Sequence, residues 1–284
     1  MNSVEFPDGE IRPALGLGTW RMGESAGSRA AEVAAVRLAI EIGYRVIDTA
    51  EMYGEGGAET VVGEALAQAL RVGDVKREQL FIVSKVYPHN ASRSGTVAAC
   101  ERSLKRLGLD QIDLYLLHWR GSFALADTVA GFETLHTQGR IRHWGASNFD
   151  TDDLEELQRV PGGARCASNQ VFYALSERGV EFELLPWQRA HRMPLMAYCP
   201  IAQGRLSKHA GWQAIGERHS VSAARVALAW MLTQTGVMAI PKAVREAHLR
   251  DNFAAATLTL TPADLGEIEA EFPAPRRRRA LAMI

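Results

Sequence analysis

Residues 28–59, SRAAEVAAVRLAIEIGYRVIDTAEMYGEGGAE, contain one unit of a pattern that recurs along the chain. Apolar residues recur there at helical spacing until Gly43, and a glycine at such a position commonly ends a helix. A short apolar run then ends on Asp48, and Tyr53 follows in a glycine-rich loop. This order predicts a helix, then a strand buried on both faces, then a polar strand end.

Similar apolar runs recur, so the chain offers eight strand candidates with helical segments between them. Eight such units at a spacing of about 30 residues predict an α/β fold, a single (β/α)8 TIM barrel. The opening SVEFPDGEIRP adds an N-terminal β-hairpin cap, with its turn at Pro7, Asp8 and Gly9. No linker-like stretch divides the chain, so we expect one domain over residues 1–284. The candidates are ALGLGTW from residue 14, RVIDTA from 45, LFIVSKVYP from 80, IDLYLLHW from 112, IRHWGASN from 141, CASNQVFY from 166, PLMAYCP from 194 and GVMAIPK from 236.

A doubly wound sheet of the Rossmann type is the alternative fold. It requires G-x-G-x-x-G between the first strand and a helix. The stretch GLGTWRMG has Gly16 and Gly18, but Trp20 and Arg21 follow where the phosphate-binding turn should tighten. The pattern fails, and the barrel is the preferred interpretation.

The charge and cysteine content narrow the functional classes. With 32 basic and 33 acidic residues, the net charge of −1 gives no general attraction to nucleic acid or to membranes. The three cysteines form no CxxC pair and the eight histidines form no HExxH motif, so we expect neither a disulfide framework nor a metal site. No run approaches the roughly 20 apolar residues of a membrane span, and the opening MNSVEFPDGE lacks the features of a secretory signal. We expect a cytoplasmic protein, and a monomer or weak homo-oligomer.

Four polar side chains fall at or after the ends of three successive strand candidates. Asp48 ends the second candidate and Tyr53 follows it; the third contains Lys85, and the fourth ends in His118. Each residue alone also has a purely structural explanation. Asp48 could bond to loop amides, Lys85 could extend from a strand end into solvent, and His118 could pack in the core. In a barrel, however, the carboxyl ends of the strands build the active site, so we expect the four to share one face. Lysine is rarely buried without a partner, and Asp48 is the nearest candidate.

This set of residues suits the delivery of a proton to a carbonyl oxygen. A tyrosine has an ordinary pKa of about 10, and we expect the Lys85 ammonium to lower the pKa of Tyr53. Asp48 would keep the lysine protonated, and a neutral histidine would orient the substrate oxygen. None of these groups supplies a hydride, so a cofactor is required, most simply a nicotinamide.

The ordered motifs resemble those of the aldo/keto reductase family over essentially the whole chain. GLGTW opens the first strand, and GYRVIDTA followed by Glu59-x-x-Val62-Gly63 is similar to the family's first motif. SKVYP, LHW, GASNF, NQVFY and IPK follow in the family's order. The resemblance implies Tyr53 as the general acid of a catalytic tetrad. Its members are Asp48, Tyr53, Lys85 and His118.

The resemblance also implies a cofactor site for NADPH, with NADH possible, and without a Rossmann fold. Two departures bear on it: Ala243 stands where the family usually has Ser or Thr, and His248 stands where it has an arginine. Arg245 and Arg250 are candidates to replace these contacts to the 2′-phosphate. The implied cofactor-binding residues are Ser147, Asn148 and Gln170 at the carboxamide, Tyr198 stacked on the nicotinamide, Lys242 and His248 at the adenosine phosphate, and Asn252 at the adenine.

The substrate pocket is expected to be aromatic and open. Trp20, Tyr87 and Trp119 fall where the family lines its pocket with aromatic rings, although core packing is an alternative for each. GEGG after Tyr53 should lengthen the loop over the pocket without moving the tyrosine, and the C-terminal loop FPAPRRRRALAMI is short. The chain is similar to bacterial reductases of small reactive aldehydes, including methylglyoxal. The resemblance thus implies NADPH-dependent reduction of small aldehydes or ketones to alcohols.

Two other functions stay open at this point. One is an NAD-linked alcohol or sugar dehydrogenase of the same fold, which cofactor preference would distinguish. The other is a non-catalytic, nucleotide-sensing partner subunit, against which the intact tetrad argues. The arginines Arg276, Arg277, Arg278 and Arg279 are interpreted as a solvated tail rather than an anion or partner site.

Overall fold

The computed structural model describes residues 2–204 and 210–284, and a closed barrel of eight parallel strands forms its centre. Parallel bridges join Leu15 to Ala239 and Gly18 to Lys242, so the last strand of the barrel lies beside the first. The predicted (β/α)8 TIM barrel is confirmed. Its strands are β3 (Leu17–Gly18), β4 (Val46–Asp48), β5 (Phe81–Val86), β6 (Ile112–Leu117), β7 (Ile141–Ser147), β8 (Asn169–Phe172), β9 (Leu195–Tyr198) and β10 (Val237–Ile240).

The helices of the described chain lie between successive strands or after the last one. The first ends before Gly43, whose φ of 124° suits glycine, as its spacing predicted. No helix in the two described ranges is long and apolar enough to cross a membrane. The helices are α1 (Arg29–Ile42), α2 (Gly57–Val72), α3 (Arg93–Leu107), α4 (Leu125–Thr137), α5 (Thr151–Arg159), α6 (Leu184–Ala190), α7 (Ala210–His219), α8 (Ala223–Thr233), α9 (Glu246–Ala254) and α10 (Pro262–Glu271).

The central strands are buried on both faces. Every residue of β4, β5, β6, β8 and β10 is buried, which explains why these segments are almost continuously apolar in sequence. Asp48 in β4 and Lys85 in β5 are charged exceptions within this core. Because an isolated buried charge is strongly unfavourable, each needs a close partner of opposite charge.

The N-terminal hairpin, β1 (Ser3–Glu5) and β2 (Ile11–Pro13), covers the amino ends of the barrel strands. The amide of Gly9 donates to the Phe6 carbonyl at 2.9 Å, which confirms the predicted turn. The Phe6 ring lies 5.0 Å from that of Phe81 at the start of β5, and Glu10 lies 2.9 Å from the ring of His143 in β7. The opposite end of the barrel, where the strands terminate, is left for the site.

Candidate active site

A cavity of about 440 Å³ opens at the carboxyl ends of the barrel strands. In barrels of this type that end carries the active site, as the sequence analysis expected. Most of the side chains predicted from sequence meet here. The predicted residues that line the cavity are Trp20, Asp48, Tyr53, His118, Trp119, Ser147, Asn148, Gln170, Tyr198, Lys242 and His248.

Lys85 is fully buried behind this cavity lining. Its Nζ lies 2.8 Å from both Oδ1 and Oδ2 of Asp48, which is itself only 2% exposed. The same ammonium donates to the backbone carbonyl of Thr49 at 2.9 Å and to Tyr53 Oη at 3.3 Å. Burial raises the pKa of Asp48, and the Lys85 ammonium and Gln170 amide oppose that rise. The ion pair predicted between the lysine and Asp48 is therefore confirmed.

A short 3₁₀ turn, Tyr53–Gly56, begins at the tyrosine and sets it beside Lys85. The Lys85 Nζ lies 4.9 Å from the centre of the Tyr53 ring. Gly54 has a φ of 58°, and a Cβ at this position would lie 2.8 Å from the backbone of Gly23. The GEGG stretch thus folds as a tight turn against another loop while the Tyr53 hydroxyl stays next to the ion pair.

The pKa of Tyr53 is raised well above its ordinary value. Burial of the phenol is the largest cause, and the neighbouring Asp48 carboxylate adds to it. The net shift is thus opposite to the lowering expected from the Lys85 ammonium, because burial of the phenol and the Asp48 carboxylate both favour the neutral form. Tyr53 is consequently a neutral phenol at neutral pH and holds the proton that a general acid must donate.

His118 lies next to Tyr53, with the two ring centres 5.6 Å apart at an angle of 75°. Within the described residues its Nδ1 is buried and has no hydrogen-bond partner. Burial and, second, the charge of Lys85 lower the pKa of His118 well below its ordinary value. The imidazole is therefore neutral at neutral pH, in agreement with the neutral histidine expected from sequence.

The neutral state of His118 predicts an acid-sensitive stability. Its pKa is lower in the folded protein than the unfolded value of about 6.5, so the unfolded chain takes up more protons as pH falls below that value. This contribution to stability is complete above pH 6.5 or so and is lost toward acid at up to about 1.4 kcal/mol per pH unit. We expect His118→Asn to flatten the dependence of the free energy of unfolding on pH between about pH 7.5 and pH 5.

Urea unfolding measures this slope, and the control is His136→Asn, since His136 is exposed on α4. The control should keep the wild-type slope. A His118→Asn variant with that same slope would contradict a neutral buried imidazole.

One of the residues expected at a carboxamide, Gln170, bonds to the ion pair from the opposite side of the barrel. Gln170 Nε2, on β8, donates to Asp48 Oδ1 at 2.7 Å, and both residues are buried. The Ser147 hydroxyl donates to the Gln170 carbonyl at 2.8 Å and thereby fixes the end of β7 against β8. Gln170 is therefore not simply a free amide in the cavity wall, because its nitrogen already orients the Asp48 carboxylate.

Asn148 connects a second pair of predicted residues. Its Nδ2 donates to the carbonyl of His118 at 3.1 Å, and its Oδ1 accepts from Tyr198 Oη at 2.9 Å. The residue adopts a left-handed φ of 60°, a conformation that asparagine tolerates better than most side chains. Tyr198 is half-buried and stacks on Phe172, with ring centres 5.8 Å apart at 18°. These contacts hold the Tyr198 ring in the cavity wall.

Exposed basic side chains gather at the end of the cavity that Lys242 and His248 line. Arg245 Nη2 donates to His248 Nε2 at 2.8 Å, whereas Arg250 pairs with Glu246 at 2.8 Å. In the described chain Arg245 has no carboxylate partner. Of the two candidate replacements for the family's arginine, Arg245 is therefore the one beside the cavity and Arg250 is engaged elsewhere.

Three predicted residues lie outside the cavity lining, and Lys85 is one of them. Asn252 is buried on α9 and does not line the cavity. Tyr87 is half-buried and does not line the cavity, but its ring is edge-on to that of Trp119 at 5.4 Å, so it contacts a pocket aromatic instead of forming one. Trp20 does line the pocket, with the Arg21 guanidinium 5.0 Å from its ring centre.

Two segments that line the cavity were not predicted from the sequence. The loop after β9 contributes Cys199 and Gln203, with left-handed φ values of 48° and 56°, and no local sequence signal predicts this geometry. Met283 and Ile284 contribute an apolar wall. The apolar ending LAMI was the available signal for the second segment.

The interpretation of the four arginines as a solvated tail is wrong for Arg278. Its Nη2 lies 2.7 Å from Asp152 Oδ2, and its Nε lies 3.1 Å from Glu183 Oε2. Asp150 Oδ2 is 3.5 Å from the same guanidinium. The segment before Met283 is therefore attached to the barrel by ion pairs.

One cluster of possible metal ligands, Asp8, Glu10 and His143, lies at the amino end of the barrel, away from the cavity. Glu10 is already paired with Arg12 and with Arg142, the latter at 2.8 Å. Two guanidinium groups on one carboxylate disfavour a cation there, so this cluster is best described as an ion-pair network between the hairpin and β7.

Comparisons with known proteins agree with this geometry. The sequence profile described as the aldo/keto reductase family matches residues 14–271. The chain is 50% identical to methylglyoxal reductase YeaE of Escherichia coli (strain K12), covering 99% of this chain and 98% of that protein. It is 35% identical to a glyoxal reductase of Bacillus subtilis (strain 168), with 95% and 92% covered. A crystal structure of an aldo-keto reductase from Klebsiella pneumoniae in complex with NADPH superposes with a TM-score of 0.93 at 45% identity, over 100% of this chain and 99% of that one.

Proposed function

The chain belongs to the aldo/keto reductase family and is an oxidoreductase, and from this premise we propose that it reduces small aldehydes and ketones of the methylglyoxal type with NADPH. The observation that carries the proposal is the buried Lys85–Asp48 pair with the Tyr53 hydroxyl 3.3 Å from the lysine. We further propose that residues 1–284 act as one domain, since the last residues complete the same cavity as the barrel strands.

The chemical groups around the cavity complement those of nicotinamide adenine dinucleotide phosphate. Amide and hydroxyl groups of Asn148, Ser147 and Gln170 lie at one end, and cations without carboxylate partners in the described chain lie at the other. Tyr198 supplies an aromatic ring between them. When bound, NADPH supplies a hydride to the carbonyl carbon of the substrate.

Tyr53 and His118 would bind the carbonyl oxygen and deliver the proton. As the carbon accepts a hydride, the oxygen becomes negatively charged and takes the proton from Tyr53 Oη, which yields an alcohol. The Lys85 ammonium, 3.3 Å away, stabilises the phenolate left on the tyrosine until solvent returns the proton. Asp48 holds the ammonium in place, and Gln170 holds Asp48.

Arg245 is proposed to provide the 2′-phosphate contact that gives NADPH its advantage over NADH. A guanidinium hydrogen-bonded to phosphate contributes about 1.5 to 3 kcal/mol, or roughly ten- to a hundredfold in affinity. We expect Arg245→Ala to weaken NADPH binding by at least about tenfold and to leave NADH binding unchanged. Quenching of tryptophan fluorescence gives both dissociation constants without any turnover.

Arg250→Ala is the matched control, because Arg250 is paired with Glu246. It should bind NADPH as the wild type does. Equal loss in the two variants, or no loss in Arg245→Ala, would contradict the role of Arg245.

The function itself is tested by incubating the protein with NADPH and a panel of carbonyl compounds, and identifying the products by NMR. The panel contains methylglyoxal, a simple aldehyde, a 2-keto acid and an aldose. We expect alcohols from methylglyoxal and the simple aldehyde, and slow turnover in the reverse direction with NAD⁺. Faster oxidation of an alcohol with NAD⁺ would favour the dehydrogenase, and cofactor binding without turnover of any compound would favour the sensor.

A further inference from the structure

The last residues of the chain form part of the cavity wall. Leu281 and Ala282 are partly buried against the hydrophobic core, and Met283 and Ile284 line the cavity. The backbone N–H of Ile284 donates toward the hydroxyl oxygen of Tyr198, the aromatic residue at the end of β9. Both side chains are more than half exposed, Met283 at 55% and Ile284 at 54%, so they border the open side of the cavity.

Arg278 attaches this segment to the barrel through three carboxylates. Its contacts reach Asp150 and Asp152, at the start of α5, and Glu183, just before α6. Single exposed ion pairs contribute little to stability. Here one guanidinium pairs with several carboxylates, so the entropy cost of fixing the arginine side chain is shared among them. Since the guanidinium side chain is 47% exposed, salt should weaken the attachment.

The neighbouring arginines do not share this arrangement. Arg276, Arg277 and Arg279 are exposed and form no ion pair within the described residues. Only one of four identical side chains, then, lies where three acidic groups converge. Arg277 provides a control of the same type one position away.

We propose that Arg278 is a positioning residue for substrate selectivity, and that its ion pairs hold residues 279–284 so that Met283 and Ile284 narrow the carbonyl pocket. This inference rests on the proposed reductase function. A narrowed apolar pocket favours small, uncharged carbonyl compounds, because a small substrate keeps contact with the wall. Release of residues 279–284 would widen the pocket and remove that contact. High salt weakens the Arg278 ion pairs, so it should change substrate selectivity in the same direction as removal of the guanidinium.

The test compares Arg278→Ala with Arg277→Ala, using methylglyoxal and a bulky aromatic aldehyde with NADPH. We expect Arg278→Ala to raise the KM for methylglyoxal about fivefold with kcat nearly unchanged, and to leave the KM for the bulky aldehyde unchanged or lower. In the wild type, the KM for methylglyoxal should rise with added salt and approach that of the variant. Arg277→Ala should match the wild type.

A second pair of measurements separates the attachment from catalysis. Hydrogen exchange of residues 279–284 should be faster in Arg278→Ala and in Asp152→Asn than in Arg277→Ala, whether or not any carbonyl is reduced. The effects of Arg278→Ala and Asp152→Asn should be less than additive in the double variant, since both remove the same contact. Equal exchange and equal KM values in Arg278→Ala and Arg277→Ala would overturn the proposal. Faster exchange in a protein that reduces no carbonyl compound would instead contradict the proposed function, and with it the selectivity role, while leaving the attachment itself supported.

Discussion

Replacement of Tyr53 by phenylalanine is expected to lower kcat for methylglyoxal by roughly 10² to 10⁴, the range that a positioned general acid contributes. The substitution removes the only atom of the ring that carries a proton for the substrate oxygen. The Lys85–Asp48 pair does not depend on that hydroxyl, because the ammonium is also bonded to both carboxylate oxygens and to the Thr49 carbonyl. Cofactor affinity should therefore stay within about twofold of the wild type.

Stopped-flow measurement of the reduction step and fluorescence titration with NADPH check both parts of this expectation. Tyr87→Phe is the matched control, because the Tyr87 ring contacts Trp119 but Tyr87 is outside the cavity lining. The control should keep wild-type turnover. A Tyr53→Phe enzyme that works at the wild-type rate would assign the proton to another group.

Replacement of Lys85 by methionine is expected to cost both turnover and stability. Asp48 would remain 2% exposed with its cation gone, and breaking a buried pair from one side costs about 3 to 5 kcal/mol. Turnover should fall at least as far as in Tyr53→Phe, since the phenolate would lose its stabilising charge and Asp48 its partner. Denaturant unfolding measures the loss of stability.

The sign of the pH dependence identifies the cause in the Lys85→Met variant. Burial already raises the pKa of Asp48, and loss of the opposing ammonium raises it further above the unfolded value of about 3.9. Such a group destabilises the fold increasingly as pH rises from that value through its folded pKa, so the variant should recover stability relative to the wild type on acidification. The double variant Lys85→Met/Asp48→Asn should recover most of the stability at neutral pH and none of the turnover.

Lys105→Met, at an exposed position on α3, controls for loss of a lysine as such. It should change neither the free energy of unfolding nor the rate. If the Lys85→Met protein is as stable as the wild type and gains no relative stability as pH falls, Asp48 is not left as an unpaired buried charge.

The main contact of the site was predictable because barrel geometry brings neighbouring strand ends together. Asp48 pairs in register with Val83, and Lys85 lies two residues beyond Val83, so the acid and the lysine share a face. By contrast, Gln170 is 122 positions from Asp48, and their contact depends on how β8 faces β4 across the barrel. No local pattern encodes that arrangement.

Two other features depend on burial and chain path, which spacing does not report. The net rise in the pKa of Tyr53 was not predicted, because the sequence shows the nearby ammonium but not the partial burial of the phenol beside the Asp48 carboxylate. Among four successive arginines, the one that meets Asp152 is fixed by the route of the last segment over α5 and α6. The predicted pocket aromatics differ for the same reason: Trp119 lines the cavity, whereas Tyr87 contacts Trp119 from outside the lining.

The initial rate of nicotinamide absorbance loss with methylglyoxal, measured in parallel with NADPH and NADH, tests the proposed reaction most directly. We expect kcat/KM to be at least about tenfold higher with NADPH, because one phosphate contact to a guanidinium is sufficient for that ratio. This result would support a reductase in which Arg245 and its neighbours replace the family's usual phosphate contacts. A preference for NADH, or no turnover with either cofactor, would contradict it.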